Sequence, residues 1–224
     1  MVIVRTWLLV AAERREFDGI RKRMGTSAPL AWPGAKFACQ ARWQGDRWWM
    51  VANGPGPARV LEALKEPKNV DGMVSTGLCG ALDPALQVGD VIVSADAPFR
   101  AAGSCVRGAV HSIDRVAITA AEKRALRSQT GALAVDMETA AIRAQAEEWR
   151  VPFLCIRAVS DSALDTLPLD FNRYRNGRGD FSRGSIALAA IARPFTIMPQ
   201  LVQFDRNCRR AAAALGDFLA DCRF

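Results

Sequence analysis

The chain has one histidine, His111, in 224 residues. Any Ser-His-Asp or Cys-His catalytic unit would have to use it, and no zinc site is expected. The six cysteines, at 39, 79, 105, 155, 208 and 222, contain no C-x-x-C pair. They read as free thiols of a reducing, cytoplasmic compartment. No run of about 18 apolar residues is present, so no membrane-spanning helix is expected. The opening stretch, MVIVRTWLLVAAERREF, is apolar but carries Arg5 and runs into charge without a small-residue cleavage pattern, so it reads as a first strand and not as a leader. Internal repeats, linkers and low-complexity segments are missing too. Lysine is scarce: five of the 30 basic residues, the rest being arginine, against 23 acids and a net charge of +7. That excess raises the question of nucleic acid. The arginines are dispersed, however, and no aromatic-basic stacking motif accompanies them, so nucleic acid is not an expected partner. Half of the residues are hydrophobic, enough for one large core and one domain spanning 1–224.

The apolar pattern predicts an α/β fold. Residues 2–10 form a near-continuous apolar run, as in a strand buried on both faces. A helix is expected over 13–24, a loop over 25–34, and a hairpin from 36–43 and 47–53 around Gln44-Gly45-Asp46. A helix runs to Leu64, and strands follow at MVSTGLCGAL and over 88–94. Residues 95–109, with Pro98, Gly103 and Gly108, read as loop, and 113–118 as a strand. A helix over 120–129, a strand over 132–136, a helix over 138–149 and a buried strand over 153–159 complete the alternation. The tail, 185–222, reads as helix interrupted by Pro194 and Pro199.

Four segments place polar or glycine residues where a buried strand ends, the usual ligand position in such sheets. In AERREF, Glu16 lies one helical turn after Ala12; it is either a first-turn acid that suits the helix dipole or a carboxylate aimed at the strand end. In TGLCGA, Gly77 and Gly80 would let backbone amides approach a ligand, though neither a P-loop lysine nor a full G-x-G-x-x-G is present. In VDMETAA, Asp136 and Glu138 flank Met137. Alternating side chains point to opposite faces, so the two acids need not be a pair, and Asp136 also suits a helix cap. In RAVSDS, Asp161 is either a helix N-cap or a shielded carboxyl whose burial would raise its pKa and fit it for general acid work.

In this order, A-E-R-R-E-F, G-P-G-P-A-R-V, S-T-G-L-C-G-A-L with L-Q-V-G-D-V-I-V-S, V-D-M-E-T-A-A-I and V-P-F-L-C-I-R-A-V-S-D resemble the nucleoside phosphorylase/nucleosidase superfamily. They are closer still to the methylthioadenosine/S-adenosylhomocysteine nucleosidases. The resemblance covers roughly residues 2–165. It implies a three-layer α/β/α fold with a mixed central sheet, a homodimer or larger homo-oligomer, no cofactor, and cleavage of the N-glycosidic bond of a nucleoside. By position, it implies that Asp161 protonates the leaving purine and that Glu138 grips ribose hydroxyls over an apolar floor at Met137. It further implies that Glu16 activates water and that Gly77, Cys79 and Gly80 line base and sugar. Ser160 and Arg157 complete the substrate-binding set.

The phosphorylase branch carries arginines near the positions of Glu16 and Ser75. A carboxylate there repels phosphate, and Leu78 replaces a small hydroxyl residue, so water is the expected nucleophile; Arg14 and Arg15 remain as substitutes for a phosphate grip. Where nucleosidases hold adenine, this chain has only R-V-A-I-T-A-A-E-K-R-A-L, and Ala117 to Ala120 would line that pocket. This segment, with G-A-L-A-V-D-M-E-T and the arginine-rich tail, resembles the hopanoid-associated phosphorylase-like branch and implies adenosylhopane as substrate. The tail IALAAIARPFTIMPQLVQF with Arg206, Arg209 and Arg210 reads either as peripheral membrane contact or as an ordinary packed helix. Phosphorolysis, a methylthioadenosine/S-adenosylhomocysteine substrate, and a nucleoside-binding protein without catalysis are the alternatives.

Overall fold

Strand β1 (Thr6–Ala11) is buried along its whole length. Its alternate side chains feed two cores. Trp7, Leu9 and Ala11 join Ile20, Ala211 and Leu215 on one side, while Leu8 and Val10 join Val60, Ala63, Ile142 and Ala146 on the other. A continuous apolar run is what two-sided burial requires. In this computed structural model, residues 4–95, 100–101, 103–177 and 179–224 are described.

The elements in chain order are β1, a 3-10 turn at Arg14–Phe17, α1 (Asp18–Met24), β2 (Ala28–Pro29), β3 (Phe37–Trp43), β4 (Asp46–Ala52), α2 (Pro57–Ala63), β5 (Gly72–Ala81), β6 (Val91–Ala95), β7 (Val106–Arg107), β8 (Val110–Ser112), α3 (Ala120–Thr130), β9 (Ala134–Asp136), α4 (Thr139–Trp149) and β10 (Phe153–Asp161). A second 3-10 turn (Phe171–Tyr174), α5 (Arg183–Ile191) and α6 (Ile197–Asp221) follow. The sheet runs β2-β3-β4-β1-β5-β10-β6-β7, with β9 against the end of β5 and β8 against β9. β4, β1, β5 and β10 are mutually parallel; β3 runs antiparallel to β2 and β4, and β6 antiparallel to β10. Helices α1 and α6 cover one face and α2 and α4 the other, so the three-layer fold with a mixed sheet is as expected.

Several element expectations need correction. Residues 113–118 form no strand; the pairing segment is β8, and Ile113 N donates once more to Asp136 O at 3.0 Å. Within the loop over 95–109, Val106–Arg107 pairs in parallel with β6, and Pro98 lies outside the described residues, as do 2 and 3 of the expected first strand, which begins at Thr6. Pro199 does not interrupt the tail. It occupies the first turn of α6, where the missing N–H has no intrahelical acceptor to lose. The break falls at Pro194, between α5 and α6. The C-terminal half of α6 packs on the sheet through Ala211, Leu215, Phe218 and Leu219. Its closest approach is to α1, where a Cβ at Gly216 would lie 2.2 Å from the Gly19 carbonyl carbon.

Candidate active site

The carboxyl ends of β1, β4, β5 and β10 open onto one cavity of about 170 Å³. Its wall includes Glu16, Cys79, Gly80, Met137, Glu138, Ser160 and Asp161. Seven of the nine residues expected at the site therefore share one cavity. A larger recess of about 800 Å³ adjoins it, sharing Ala12, Glu13, Arg15, Pro55 and Phe181.

Glu16 is placed by the 3-10 turn that follows β1 and is 7% exposed. Its two carboxyl oxygens accept from Glu13 N at 2.7 Å and Leu78 N at 2.8 Å, which ties the β1 end to the β5 end. Burial pushes its pKa up, opposed by the Arg157 guanidinium and by these two amides. Glu138, at the junction of β9 and α4, accepts from Gly56 N at 2.8 Å through Oε1. Burial raises its pKa to about 7; Arg157 opposes the rise and Asp136 adds to it. The other acid of that motif has a different task. Asp136 accepts from Ser112 Oγ at 2.6 Å and from Thr139 N at 3.1 Å, and pairs with Arg157 Nη2 at 2.8 Å. It is a structural anchor and helix cap, and the two carboxylates do not act as a pair.

Arg157 was expected to touch substrate. It is fully buried and does not line the cavity. Besides Asp136, it donates to Ser75 Oγ at 2.8 Å, and its Nη1 stands 3.7 Å from Glu138 Oε2 without a hydrogen-bond partner. Burial would lower its pKa, but Asp136 and Glu138 raise it above the ordinary arginine range. Gly77 also lies behind the wall. Its φ is +134°, and a Cβ there would sit 2.6 Å from Glu16 Oε1 and 2.8 Å from Arg157 Nη1. Only glycine lets β5 pass between these two side chains.

Asp161 ends β10 inside the strand and caps no helix. It is 6% exposed, accepts from Ser160 Oγ at 2.7 Å through Oδ1, and pairs through Oδ2 with the ammonium of Lys123 at 2.5 Å. The isolated shielded acid expected from the sequence is thus half of an ion pair. Cys79, whose thiol burial pushes well above its usual range, completes this wall. Of residues 117–120 only Ala117 lines the cavity; Thr119 instead caps α3, accepting from Glu122 N at 3.1 Å. Arg115, Val116, Leu167, Phe181 and Phe204 supply the rest of the wall that sequence reasoning missed. Ser75, where phosphorylases would carry an arginine, is fully buried within the Arg157–Thr139 network and does not reach the cavity. Arg15 lines the cavity but is engaged by Glu13 at 2.9 Å, and Arg14 lies over the Phe37 ring.

A parallel-centred, three-layer sheet with acids gathered at the strand ends defines an α/β ligand-binding fold with a carboxylate-rich site. The comparisons make this more specific. The model of the phosphorylase superfamily matches residues 104–178, which include Asp136 to Glu138 and Arg157 to Asp161. Over 96% of this chain and 97% of the other, the fold matches a futalosine hydrolase mutant of Helicobacter pylori with TM-score 0.70 and 16% identity. It matches the methylthioadenosine/S-adenosylhomocysteine nucleosidase of Neisseria meningitidis, in complex with methylthio-immucillin-A, with TM-score 0.69 and 21% identity over 97% and 98% of the two chains. A mutant of the Helicobacter pylori nucleosidase, with 5′-methylthioadenosine in its active site, gives TM-score 0.68 and 16% identity over 97% of both chains. The chain carries the fold of the nucleoside phosphorylase/nucleosidase superfamily, as the motifs implied.

Proposed function

We propose that the protein hydrolyses the N-glycosidic bond of an adenine nucleoside and releases adenine. The observation that carries this reading is the convergence of Glu16, Glu138 and Asp161 from different strand ends on one cavity, with Arg157 Nη1 unpartnered behind it. Glycoside cleavage passes through an oxocarbenium-like state. It needs a proton donor for the leaving group and a base for the nucleophile. Asp161 serves the leaving base. Glu138, held by Gly56 N–H, accepts from the ribose hydroxyls above Met137. Glu16, whose pKa burial raises, takes the proton of the attacking water. Water is favoured over phosphate because the carboxylate of Glu16 lines the cavity and would repel phosphate, while Ser75 is buried outside the lining.

The substrate we favour bears a large apolar group at the ribose 5′ position, adenosylhopane being the candidate. Phe181 and Phe204 in the cavity wall support this, as does an exposed apolar surface formed by Leu188, Ile191, Phe195, Met198 and Val202 on α5, α6 and their junction. Phe195 is 93% exposed, a poor position for a phenyl ring in water. With Arg193 beside it, this surface suits the interface of an anionic membrane. No helix among the described residues is long and apolar enough to cross one. The enzyme then acts from the cytoplasm as a homo-oligomer touching the membrane peripherally. The test is adenine release from methylthioadenosine, S-adenosylhomocysteine and an adenosyl-hopanoid, with co-sedimentation on phosphatidylglycerol vesicles. The reading expects preference for the hopanoid and lipid binding that weakens with salt. Tight nucleoside binding without turnover would instead favour a binding protein, and absence of lipid binding at low salt would remove the membrane.

A further inference from the structure

Lys123 and Arg157 are the fully buried cations among the described residues. Arg157 is accounted for by the acids around it. Lys123, in the first turn of α3, lies behind the cavity wall and takes no part in the scheme above. Its Nζ donates to Asp161 Oδ2 at 2.5 Å, to Ser162 O at 2.7 Å and to Asp165 O at 3.1 Å. An ammonium has three protons, and here each meets an acceptor. A neutral amine would aim its lone pair at an oxygen. The geometry therefore holds the lysine as a cation, which burial permits only with a counter-charge, and that charge is the Asp161 carboxylate. The second oxygen of Asp161 already accepts from Ser160 Oγ at 2.7 Å. The single Ser160 proton is shared between Asp161 and Cys79 O at 3.1 Å, but a carboxylate paired with an ammonium has no proton of its own to give. The ammonium proton nearest to that carboxylate stands on Lys123, whose Nζ is 2.5 Å away.

We propose that Lys123 and Asp161 act as one acid, with Lys123 the positioning and proton-holding residue and Asp161 the group that touches the leaving base. This rests on the hydrolytic reading of the site. As the bond between the base nitrogen and C1′ breaks, its electron pair passes into the purine ring. Lys123 Nζ passes a proton to Asp161 Oδ2, and the carboxyl so formed gives a proton to a ring nitrogen. The pair is left as carboxylate and neutral amine. The water that attacks C1′ loses one proton through Glu16 to solvent, and a proton from solvent restores the ammonium. The sum is nucleoside plus water giving free base plus free sugar.

The role is tested by the leaving group. Methylthioadenosine requires protonation of its base; 4-nitrophenyl ribofuranoside releases a phenolate that leaves without a proton. Lys123→Met should lower kcat for methylthioadenosine by about 10²-fold or more, the usual range for general acid catalysis, and change 4-nitrophenyl riboside cleavage by less than about threefold. Lys123→Arg, which keeps the cation but does not release its proton, should lose methylthioadenosine turnover about as the Met variant does. Where the Met variant does not fold, Lys123→Gln keeps donors for the carbonyls of Ser162 and Asp165 and carries the same comparison. Equal losses on both substrates would mean that Lys123 only supports the fold, and would overturn the proposal. So would no loss on either substrate, or an Arg variant that keeps wild-type turnover, since a cation that holds its proton would then suffice. A wild-type protein that cleaves neither compound nor an adenosyl-hopanoid would overturn the hydrolytic reading itself, a result separable from a failure of Lys123 alone.

Discussion

Replacing Glu138 by glutamine perturbs the charge of the site while keeping its shape. Glu138 is 4% exposed, and burial, opposed by Arg157 and reinforced by Asp136, carries its pKa from 4.5 to about 7. The unfolded chain titrates this group near 4.5, so folding favours the protonated form. Its contribution to stability is full below about pH 4.5 and is lost as the pH rises through 7. At about 1.4 kcal/mol for each pH unit between those two values, on the order of 3 kcal/mol is lost by pH 8. Asp136, Glu138 and Glu16 all bear on the single Arg157 guanidinium, so removing one negative charge relieves repulsion and leaves the arginine paired with Asp136. Glutamine also keeps an oxygen for Gly56 N–H. Glu138→Gln should therefore melt roughly 6–12 °C higher than wild type at pH 8, and close to it at pH 5. Differential scanning calorimetry across that range reads the difference directly, since groups common to both proteins cancel. Base release should fall at the same time, because a neutral amide grips ribose hydroxyls less strongly than a carboxylate. A melting difference that is the same at both pH values, or a variant less stable at pH 8, would refute the electrostatic account.

Three further substitutions separate the roles of the site from those of the scaffold. Glu16→Gln should reduce hydrolysis by about 10²–10⁴-fold while an adenine nucleoside analogue still binds, as isothermal titration calorimetry would record. Asp161→Asn should cost a similar factor in rate and, by stripping Lys123 of its counter-charge, about 3 kcal/mol of stability in urea unfolding. Gly216→Ala would place a Cβ 2.2 Å from Gly19 backbone and 2.4 Å from Ile20 N. Forcing α1 and α6 apart should cost about 1–3 kcal/mol or more by the same assay, with base release per folded molecule unchanged.

The layers and the strand ends were legible in the sequence because they rest on short-range pattern. VIVRTWLLV and FLCIRAV are near-continuous apolar runs, broken only by Arg5 with Thr6 and by Arg157, and the motifs holding Glu16, Glu138 and Asp161 follow directly on buried strands. The expectation failed where a partner comes from far along the chain. Lys123 meets Asp161 across 38 residues, and Phe181 and Phe204 reach the cavity from beyond the recognised motifs. A signal for Lys123 did exist, since it shares a helix face with Leu126 and both are buried. A lysine on the apolar side of a predicted helix calls for a buried acid. Arg157 was misread for a related reason, whereas the cap role weighed for Asp136 holds. The neighbours of Arg157 in sequence are site residues, but strand alternation turns its side chain into the structure behind the cavity. Pro199 read as a break because spacing alone does not reveal whether a proline falls within a helix or in its first turn.

The central claim is that Glu16 delivers water, not phosphate, to C1′ of a nucleoside whose base Asp161 protonates. Turnover in ¹⁸O-labelled water with millimolar phosphate present, followed by mass spectrometry of the sugar product, tests it most directly. The account predicts free adenine and a free sugar carrying one ¹⁸O at C1, at a rate independent of phosphate. An unlabelled sugar 1-phosphate, formed at a rate that rises with phosphate, would contradict it.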